Sequence, residues 1–380
     1  MNILLIGNGF DLAHNLPTKY DDFLDFIQVL SQMIKKDIIS EHISYSDLTE
    51  CNNLNTEIKN KIYDDFTNNN DLLLSWKELI INNLWLNYFF ENRQYIEDNW
   101  IDFEKEILLV ISNLDEFIKK NPNDDLITFL SLNASYNGVI RNFKIFLDSY
   151  LKKEIFTYSS NTFQNDIFIK ELEEDLDKLI FALERYINEY VNKMNTDEFL
   201  YFIPSLKIDK IISFNYTDTF NSIYNKEKKY NDDDFDFIHG KAIEHCYYKD
   251  TRLVLGINEY LPDNEKNSNV QFIRYKKFFQ RIHKNTGYKY TEWTAPTDDP
   301  ELTHNLYIFG HSLDSTDGDI LRDLILDNRI NTTIFYHDRA ANAQQIINLV
   351  KIIGQDELIK RTEGYWKSVK FVEQSKFQKF

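Results

Sequence analysis

The chain has 380 residues and carries 43 Lys and Arg against 61 Asp and Glu, a formal net charge of −18 at pH 7. This charge disfavours nonspecific binding to nucleic acid or to an anionic membrane, because both need positive potential. The two cysteines, Cys51 and Cys246, form no C-x-x-C pair, which excludes a four-cysteine zinc module and argues against a disulfide framework.

The first predicted element is a buried strand that leads into a glycine loop. Residues 3–6 form a continuous apolar run, and Gly7 and Gly9 follow before an amphipathic stretch. This order lets backbone amides approach a phosphate. Ala13 and His14 stand where the third glycine of a G-x-G-x-x-G fingerprint would fall, so an ordinary tight turn is the alternative. The apolar run has no basic n-region, so it does not have the pattern of a signal peptide. No stretch of the sequence approaches the ~18 apolar residues of a membrane helix. We therefore expect a soluble, cytoplasmic protein without a membrane partner.

From Tyr20 to about Lys193 the sequence is poor in glycine and has the period of amphipathic helices. Apolar residues recur three and four positions apart in two sets: Phe23, Phe26, Ile27 and Leu30, and Leu172, Leu176, Leu179, Ile180 and Leu183. The large aromatic residues of this region are expected to pack in the core rather than bind a ligand: Trp76, Trp85, Trp100 and Phe103.

Short β-branched or aromatic runs return in the second half, at 210–214, 236–239, 253–257, 305–309 and 333–337. With the first strand they make six, several alternating with helical stretches, which predicts a mostly parallel, Rossmann-like α/β sheet. We therefore expect three regions. Residues 1–20 supply the first strand and the glycine loop, 21–200 a large all-helical insertion, and 201–380 the remainder of the α/β nucleotide-binding core.

Glycines and polar residues follow each of the first five predicted strands. The segments are 7–11 (Gly-Asn-Gly-Phe-Asp), 215–218 (Asn-Tyr-Thr-Asp), 239–240 (His-Gly), 256–259 (Gly-Ile-Asn-Glu) and 310–317 (Gly-His-Ser-Leu-Asp-Ser-Thr-Asp). Ligands of open α/β sheets bind outside the carboxyl ends of the strands. We therefore expect these segments to meet in one binding site.

Segments 7–20, 100–104 (Trp-Ile-Asp-Phe-Glu), 213–218 (Ser-Phe-Asn-Tyr-Thr-Asp), 238–240 (Ile-His-Gly) and 310–317 resemble the AbiH family of bacteriophage abortive-infection proteins. AbiH is in turn similar to the sirtuin-like NAD-binding domains of phage-defence effectors. In those domains a G-A-G loop, a T-N-Y-D segment, a K-L-H-G segment and a late G-x-S motif surround NAD. Thr217 stands where the wider group often has an acid, and the zinc-ribbon cysteines of deacetylating sirtuins are absent.

The resemblance implies a sirtuin-like fold, NAD as substrate or ligand, and hydrolysis of NAD to ADP-ribose and nicotinamide in phage defence. Cleavage of the nicotinamide–ribose bond passes through an oxocarbenium-like state, so the enzyme must hold the ribose and present one water or hydroxyl. Asn215 suits the orientation of that group, and His239 suits the removal of its proton near neutral pH. We expect these two residues to be catalytic, with Asp11 or Asp218 orienting either partner.

The remaining predicted site residues would bind NAD: Gly7, Asn8, Gly9, Phe10, Asp11, Thr217, Asp218, Gly240, Gly310, Ser312 and Asp317. Ser312 and Asp317 are assigned to the adenosine half, whose ribose hydroxyls favour carboxylate acceptors. Structural alternatives exist for the main candidates. His239 is also compatible with a structural histidine whose hydrogen bonds are satisfied, and Asn215 with a helix cap or a turn. Asp314 and Asp317 are equally compatible with the acidic residues found at the N-terminus of a helix.

No metal is expected, because the histidines show neither H-x-x-x-H nor H-E-x-x-H spacing. Two other functions compete with NAD hydrolysis. One is a non-catalytic NAD or nucleotide sensor or scaffold that recruits another effector. The other is a nuclease, which would need a carboxylate cluster with metal ions or a broad basic face; nucleic acid is therefore not an expected partner. A phage-derived trigger and a homo-oligomer are left open.

One segment runs against the net charge. No acid lies between Arg274 and Tyr290, and the cations there are interleaved with aromatic residues: Arg274, Lys276, Lys277, Arg281, Lys284 and Lys289. A solvated helix face with a packed apolar side is one interpretation. A patch for a polyanion or a dinucleotide pyrophosphate, acting as a lid or trigger site, is the other.

Overall fold

The structure, a computed structural model, describes residues 1–38, 54–67, 70–93, 101–120, 165–244, 247–296, 302–365 and 367–376. Cys51, Cys246 and Trp100 lie outside these ranges. The chain divides into two compact units. The first consists of Met1–Thr18, Val191–Ala242 and Arg281–Phe380, and the second of Lys19–Tyr190 and Ile243–Gln280. The second unit thus also contains Ile243–Gln280, which comes from the region expected to be part of the α/β core.

A six-stranded parallel sheet forms the centre of the first unit. Its strands are β1 (Asn2–Ile6), β2 (Lys210–Ser213), β3 (Phe235–Phe237), β4 (His304–Phe309), β5 (Ile330–Tyr336) and β6 (Val369–Glu373), in the order β3-β2-β1-β4-β5-β6. β1 is central, since Ile3 is in register with Lys210 of β2 and with Leu306 of β4. The prediction of a parallel α/β sheet is thus confirmed.

Along the chain, helices lie between each pair of successive strands. Those of the described residues are α1 (Asn8–Ala13), α2 (Tyr20–Ile38), α3 (Thr56–Thr67), α4 (Asn70–Ile80), α5 (Leu84–Arg93), α6 (Phe103–Lys120), α7 (Asn165–Arg185), α8 (Phe202–Ser205), α9 (Thr219–Tyr224), α10 (Lys277–Lys284), α11 (Lys289–Trp293), α12 (Gly318–Leu326), α13 (Arg339–Ile353) and α14 (Gln355–Thr362). None of these combines the length and the apolar character that a bilayer-crossing helix needs.

Apolar side chains leave the sheet on both faces, which explains the unbroken apolar run of β1. Ile3 and Leu5 belong to one buried cluster, which α12, α13 and α14 complete. Leu4 and Ile6 belong to the opposite cluster, with side chains of α1, α8 and α9. Because successive residues of a strand point to opposite faces, a strand covered on both sides needs apolar residues at every position.

Aromatic packing dominates the second unit. Trp76, Trp85 and Phe103, expected in the core, are each 0% exposed. Phe26 packs on Trp76 with ring centroids 5.2 Å apart, and Phe89 stacks on Phe103 at 4.1 Å. The predicted apolar faces of α2 and α7 are buried at every position: Phe23, Phe26, Ile27 and Leu30, and Leu172, Leu176, Leu179, Ile180 and Leu183.

The prediction of a strand at 253–257 is wrong. Leu255 exchanges two hydrogen bonds of 3.0 Å with the side-chain amide of Gln280, and Ile257 makes only an isolated bridge to Lys276. The run is apolar because it is buried in the second unit, where a side-chain amide takes the place of a neighbouring strand. The sixth strand is instead β6, which pairs with β5 and which the sequence pattern missed.

Candidate functional site

The candidate site lies in the first unit, where the chain leaves β1, β2, β3 and β4. β1 lies between β2 and β4, so the loops that follow these three strands start side by side. Segments 7–11, 215–218, 239–240 and 310–317 therefore come from one edge of the sheet, as expected. Segment 256–259 is not among them, because residues 253–257 form no strand of the sheet.

The glycines of the β1 and β4 loops pack against each other. A Cβ on Gly310, whose φ is +69°, would lie 2.2 Å from the backbone nitrogen of Phe10. A Cβ on Gly9 would lie 2.8 Å from Gly310 Cα, and one on Gly7 would lie 2.8 Å from His311 Cα. Real Cβ atoms do not approach other atoms this closely. Glycine is therefore needed at these positions because the two loops are in close contact.

Three amides of the glycine loop already donate within the protein. Gly7 N–H donates to Phe309 O at 3.1 Å, Gly9 N–H donates to Gly310 O at 2.8 Å, and Phe10 N–H donates to Gly7 O at 2.8 Å. An anion at this loop would therefore take its hydrogen bonds from groups other than these three amides.

Asp11 is the buried acid of the site. It is 1% exposed, and its Oδ2 accepts a hydrogen bond of 2.7 Å from the Thr217 hydroxyl, which in turn accepts one of 2.9 Å from Thr219. Burial raises the pKa of Asp11 from 3.8 to about 6, against the lowering effect of Thr219, Thr217 and Asn215. The carboxyl group thus titrates near neutral pH, which is typical of groups that exchange protons in a site.

Asn215 faces the same buried region. Its side chain is 5% exposed. Asn215 lies close enough to Asp11 for its amide to lower the pKa of that carboxyl group, yet among the described residues neither Asn215 Nδ2 nor Asp11 Oδ1 has a hydrogen bond of regular geometry, although both atoms are buried. A buried polar atom without a partner costs free energy, so such a pair marks a place for a ligand or a water.

Two buried histidines share one carboxylate. Asp317 Oδ1 lies 3.0 Å from His239 Nε2, and Asp317 Oδ2 lies 3.5 Å from His311 Nε2. The three side chains are 7%, 5% and 6% exposed for Asp317, His239 and His311. The Phe214 ring packs edge-on against both imidazoles, with centroids 5.3 Å from His239 and 4.5 Å from His311. This packing keeps water away and strengthens the electrostatic contacts.

The loops after β3 and β4 reach towards each other across the sheet edge. β2 and β1 separate these strands in the sheet, a distance of roughly 14 Å at the usual strand spacing. The contact between His239 and Asp317 nevertheless joins the two loops. The candidate site thus contains two buried groups, the contact of His239 with Asp317 and the pair of Asp11 and Asn215.

Other predicted site residues have structural contacts of their own. Phe10 is 0% exposed and packs its ring on Phe309. Asn8 accepts a hydrogen bond of 2.6 Å from the Thr18 hydroxyl. Asp218 forms an ion pair of 2.7 Å with Lys241. Lys241 directly follows Gly240, whose φ is +76°.

Ser312 and the two aspartates of the β4 loop differ in their surroundings. Ser312 is exposed, and its carbonyl accepts a hydrogen bond of 3.0 Å from Asn348. Asp314 caps the following turn by accepting from Thr316 N–H at 3.1 Å. Asp317 is the N-cap residue of α12, as the helix-charge interpretation expects, but its side chain makes no cap hydrogen bond and contacts the two histidines.

Sequence reasoning missed His311 and Thr219 as site residues. His311 stands inside the segment 310–317, but it was judged only by its spacing to other histidines, which carries no signal for a carboxylate partner. Thr219 follows the 215–218 segment by one residue. A search for polar residues within two positions of each strand-end segment would have found both.

The basic segment does not form an open positive patch from most of its side chains. Five of its cations pair with carboxylates: Lys276 with Glu259 and Lys277 with Glu104 at 2.7 Å, Arg274 with Glu173 at 3.7 Å, Lys289 with Asp233 at 3.6 Å, and Arg281 with Asp319. Lys276 and Lys277 are 2% and 1% exposed. These pairs neutralise the charge that a polyanion site needs.

Among the described residues, no three His, Cys, Asp or Glu side chains are arranged to hold a metal ion. The described side chains of the site are imidazole, carboxylate, amide and hydroxyl groups. Its position makes the molecule an α/β protein with a buried polar site at the carboxyl edge of a parallel sheet.

Comparison with known families agrees with the resemblance seen in the motifs. The chain belongs to the family described as Bacteriophage abortive infection AbiH, whose family model matches residues 3–338. This match covers the four strand-end segments that build the site. No curated protein and no solved structure matches the chain.

Proposed function

We propose that this AbiH-family protein hydrolyses NAD to ADP-ribose and nicotinamide during abortive infection. The observation that carries the proposal is the burial of Asn215 and His239 together with Asp11 at the carboxyl edge of the sheet. The strand order supports a dinucleotide ligand, because β3-β2-β1-β4-β5-β6 is the order of doubly wound dinucleotide-binding sheets, whose ligands bind where the order reverses, between β1 and β4. The sirtuin-like resemblance supports the same ligand.

Each residue has a role in this proposal. The Asn215 amide holds a ribose hydroxyl or the attacking water with its unpartnered Nδ2. His239 accepts a proton from that hydroxyl or water as the nicotinamide–ribose bond breaks. Nicotinamide leaves as a neutral molecule. Asp11, whose pKa is about 6, orients Asn215 or the water and carries a negative charge above neutral pH, which favours the oxocarbenium-like state.

The experiment measures nicotinamide release by the purified protein incubated with NAD. The wild type is compared with Asn215→Ala, His239→Ala and the control His304→Asn, which replaces a buried histidine at the opposite end of β4. We expect the first two substitutions to lower the turnover number by roughly 10²–10⁴-fold, as is usual for the loss of acid–base or orienting groups, and the control to retain turnover. Equal turnover in all four proteins would contradict the proposal.

A non-catalytic sensor is the second candidate, because the amides of Gly7 and Gly9 are occupied while Asn215 and Asp11 still offer unpartnered polar atoms. Thermal unfolding with and without NAD separates the two functions. A sensor shows a rise in Tm with NAD but releases no nicotinamide. An enzyme shows turnover that Asn215→Ala abolishes.

A further inference from the structure

Asp317 contacts the imidazoles of His239 and His311. This contact indicates a role for the three residues that the family match does not give. A carboxylate that binds the ribose of a dinucleotide presents its oxygens to the ligand. Here each oxygen of Asp317 faces a histidine nitrogen, at 3.0 Å and 3.5 Å, and the carboxylate is 7% exposed. The geometry therefore favours an interaction with His239 over direct contact with a ribose.

The protonation pattern of His311 follows from its other nitrogen. Leu313 N–H donates to His311 Nδ1 at 2.9 Å, so Nδ1 is an acceptor and the proton of the neutral imidazole is on Nε2. That N–H lies on the side of Asp317. The Nε2–H group of the neutral His311 ring therefore directs its partial positive charge at one oxygen of Asp317. The other oxygen is then available to His239.

The backbone around His311 is held in an unusual conformation. Leu313 has φ +57° and Gly310 φ +69°, while Gln345 donates to the His311 carbonyl at 3.1 Å. The left-handed region is unfavourable for a residue with a Cβ, so the surrounding contacts must maintain this conformation of the buried Leu313. This strained turn places the Leu313 N–H beneath Nδ1 and thereby fixes the direction of the ring.

We propose that Asp317 is the positioning residue of His239 and that His311 holds Asp317 in place; this proposal rests on the proposed function. Asp317 favours the tautomer of His239 with the proton on Nε2, so that Nδ1 is the nitrogen that accepts the proton. It also compensates the imidazolium that His239 becomes. A carboxylate behind a catalytic imidazole acts in this way in hydrolases of unrelated fold.

The kinetic test separates positioning from ribose binding. Asp317→Asn keeps the size of the side chain but removes its charge. We expect it to lower kcat for nicotinamide release by roughly 10²–10⁴-fold with KM for NAD unchanged, because the interaction acts on the proton acceptor and not on the bound ligand. A rise in KM with kcat unchanged would overturn the proposal in favour of ribose binding.

Two substitutions of His311 test which of its nitrogens matters. Gln places an N–H donor near the position of Nε2, while Asn offers an acceptor near that of Nδ1. If His311 acts through Asp317, His311→Gln retains more of kcat than His311→Asn. The reverse order would mean that His311 serves only the turn at Leu313, and it would overturn the role given to His311. His304→Asn is the control.

The imidazole ¹⁵N spectrum of the free protein tests the contact without turnover. We expect the His311 signals of the Nε2–H tautomer and a change in the His239 signals in Asp317→Asn but not in His304→Asn. Unchanged His239 signals in a folded Asp317→Asn protein would overturn the proposal. Because this readout needs no NAD, a wild type that releases no nicotinamide but shows these shifts would refute the proposed function alone.

Discussion

At the scale of single residues, Gly310 illustrates how a glycine of a strand-end loop serves packing. Its positive φ and the approach of Phe10 N to within 2.2 Å of a Cβ position both exclude larger residues. The strand–loop–helix pattern predicted that Gly7 and Gly9 approach a phosphate, and the family resemblance predicted that Gly310 binds NAD. These roles stay predictions, whereas the contact between the two loops is visible in the backbone.

Gly310→Ala should lower the free energy of unfolding by about 2–4 kcal/mol, because it adds left-handed strain to a backbone clash. Gly318→Ala is the matched control. Gly318 has φ −63°, and its Cβ would meet Ile352 at an ordinary 3.5 Å, so that change should be neutral or stabilising by about 0.5 kcal/mol. Urea unfolding of both variants checks the difference, and equal stabilities would contradict it.

Asp11 predicts a pH dependence of stability. Burial raises its pKa from 3.8 to about 6, so between these values the folded protein keeps a proton that the unfolded chain has lost. The contribution of Asp11 is therefore most favourable below pH 4 and declines as the pH rises through 6, by up to about 3 kcal/mol. Asp11→Asn removes this dependence.

Unfolding free energies measured from pH 4 to pH 7 test this sign. The difference between Asp11→Asn and the wild type should shift in favour of the variant as the pH rises. Asp338→Asn should show almost no shift in this range, since the Ala341 N–H lowers the pKa of Asp338 and its contribution changes only as the pH falls below about 4. A constant difference for Asp11→Asn would show that the carboxyl group titrates normally.

At the scale of elements, the basic segment shows how partners change the meaning of a charge run. Lys277 at the start of α10 and Glu104 in the first turn of α6 form an ion pair of 2.7 Å, with side chains 1% and 10% exposed. The sequence showed a row of cations but not the carboxylates opposite them. Two adjacent lysines are buried because each has an acid in reach.

Lys277→Met should destabilise the protein by about 3–5 kcal/mol, since it leaves Glu104 buried without its cation. The double variant Lys277→Met, Glu104→Met should recover most of this loss, because both charges are then absent. Glu259→Gln, at a pair whose acid is 33% exposed, should cost less than Glu104→Gln. Thermal and urea unfolding of the set measure these energies, and a double variant no more stable than the single one would contradict the prediction.

At the scale of the whole molecule, the net charge of −18 governs encounters with other macromolecules. We expect no measurable binding to duplex DNA at about 150 mM salt, because so negative a net charge opposes the approach to phosphates and the counterion release that drives such binding. Fluorescence anisotropy with a labelled duplex at several salt concentrations tests this. Salt-dependent binding would favour the nuclease interpretation over NAD hydrolysis.

The sequence determined the class of fold and the segments of the site, because both depend on local patterns. Strands covered on two faces need continuous apolar runs, and the ends of parallel strands meet at one edge, so 7–11, 215–218, 239–240 and 310–317 could be placed together. The same local signal failed at 253–257, where Gln280 supplies the hydrogen bonds of a missing strand.

Only the tertiary structure decided which of these side chains touch. The shared carboxylate of Asp317, the approach of Gly310 to Phe10, and the burial of Lys277 against Glu104 each join residues that are distant in the chain. Such contacts depend on the paths of whole loops and on desolvation, which leave no period or motif in the sequence. The local patterns therefore located the site, and the packing of loops assigned partners to its residues.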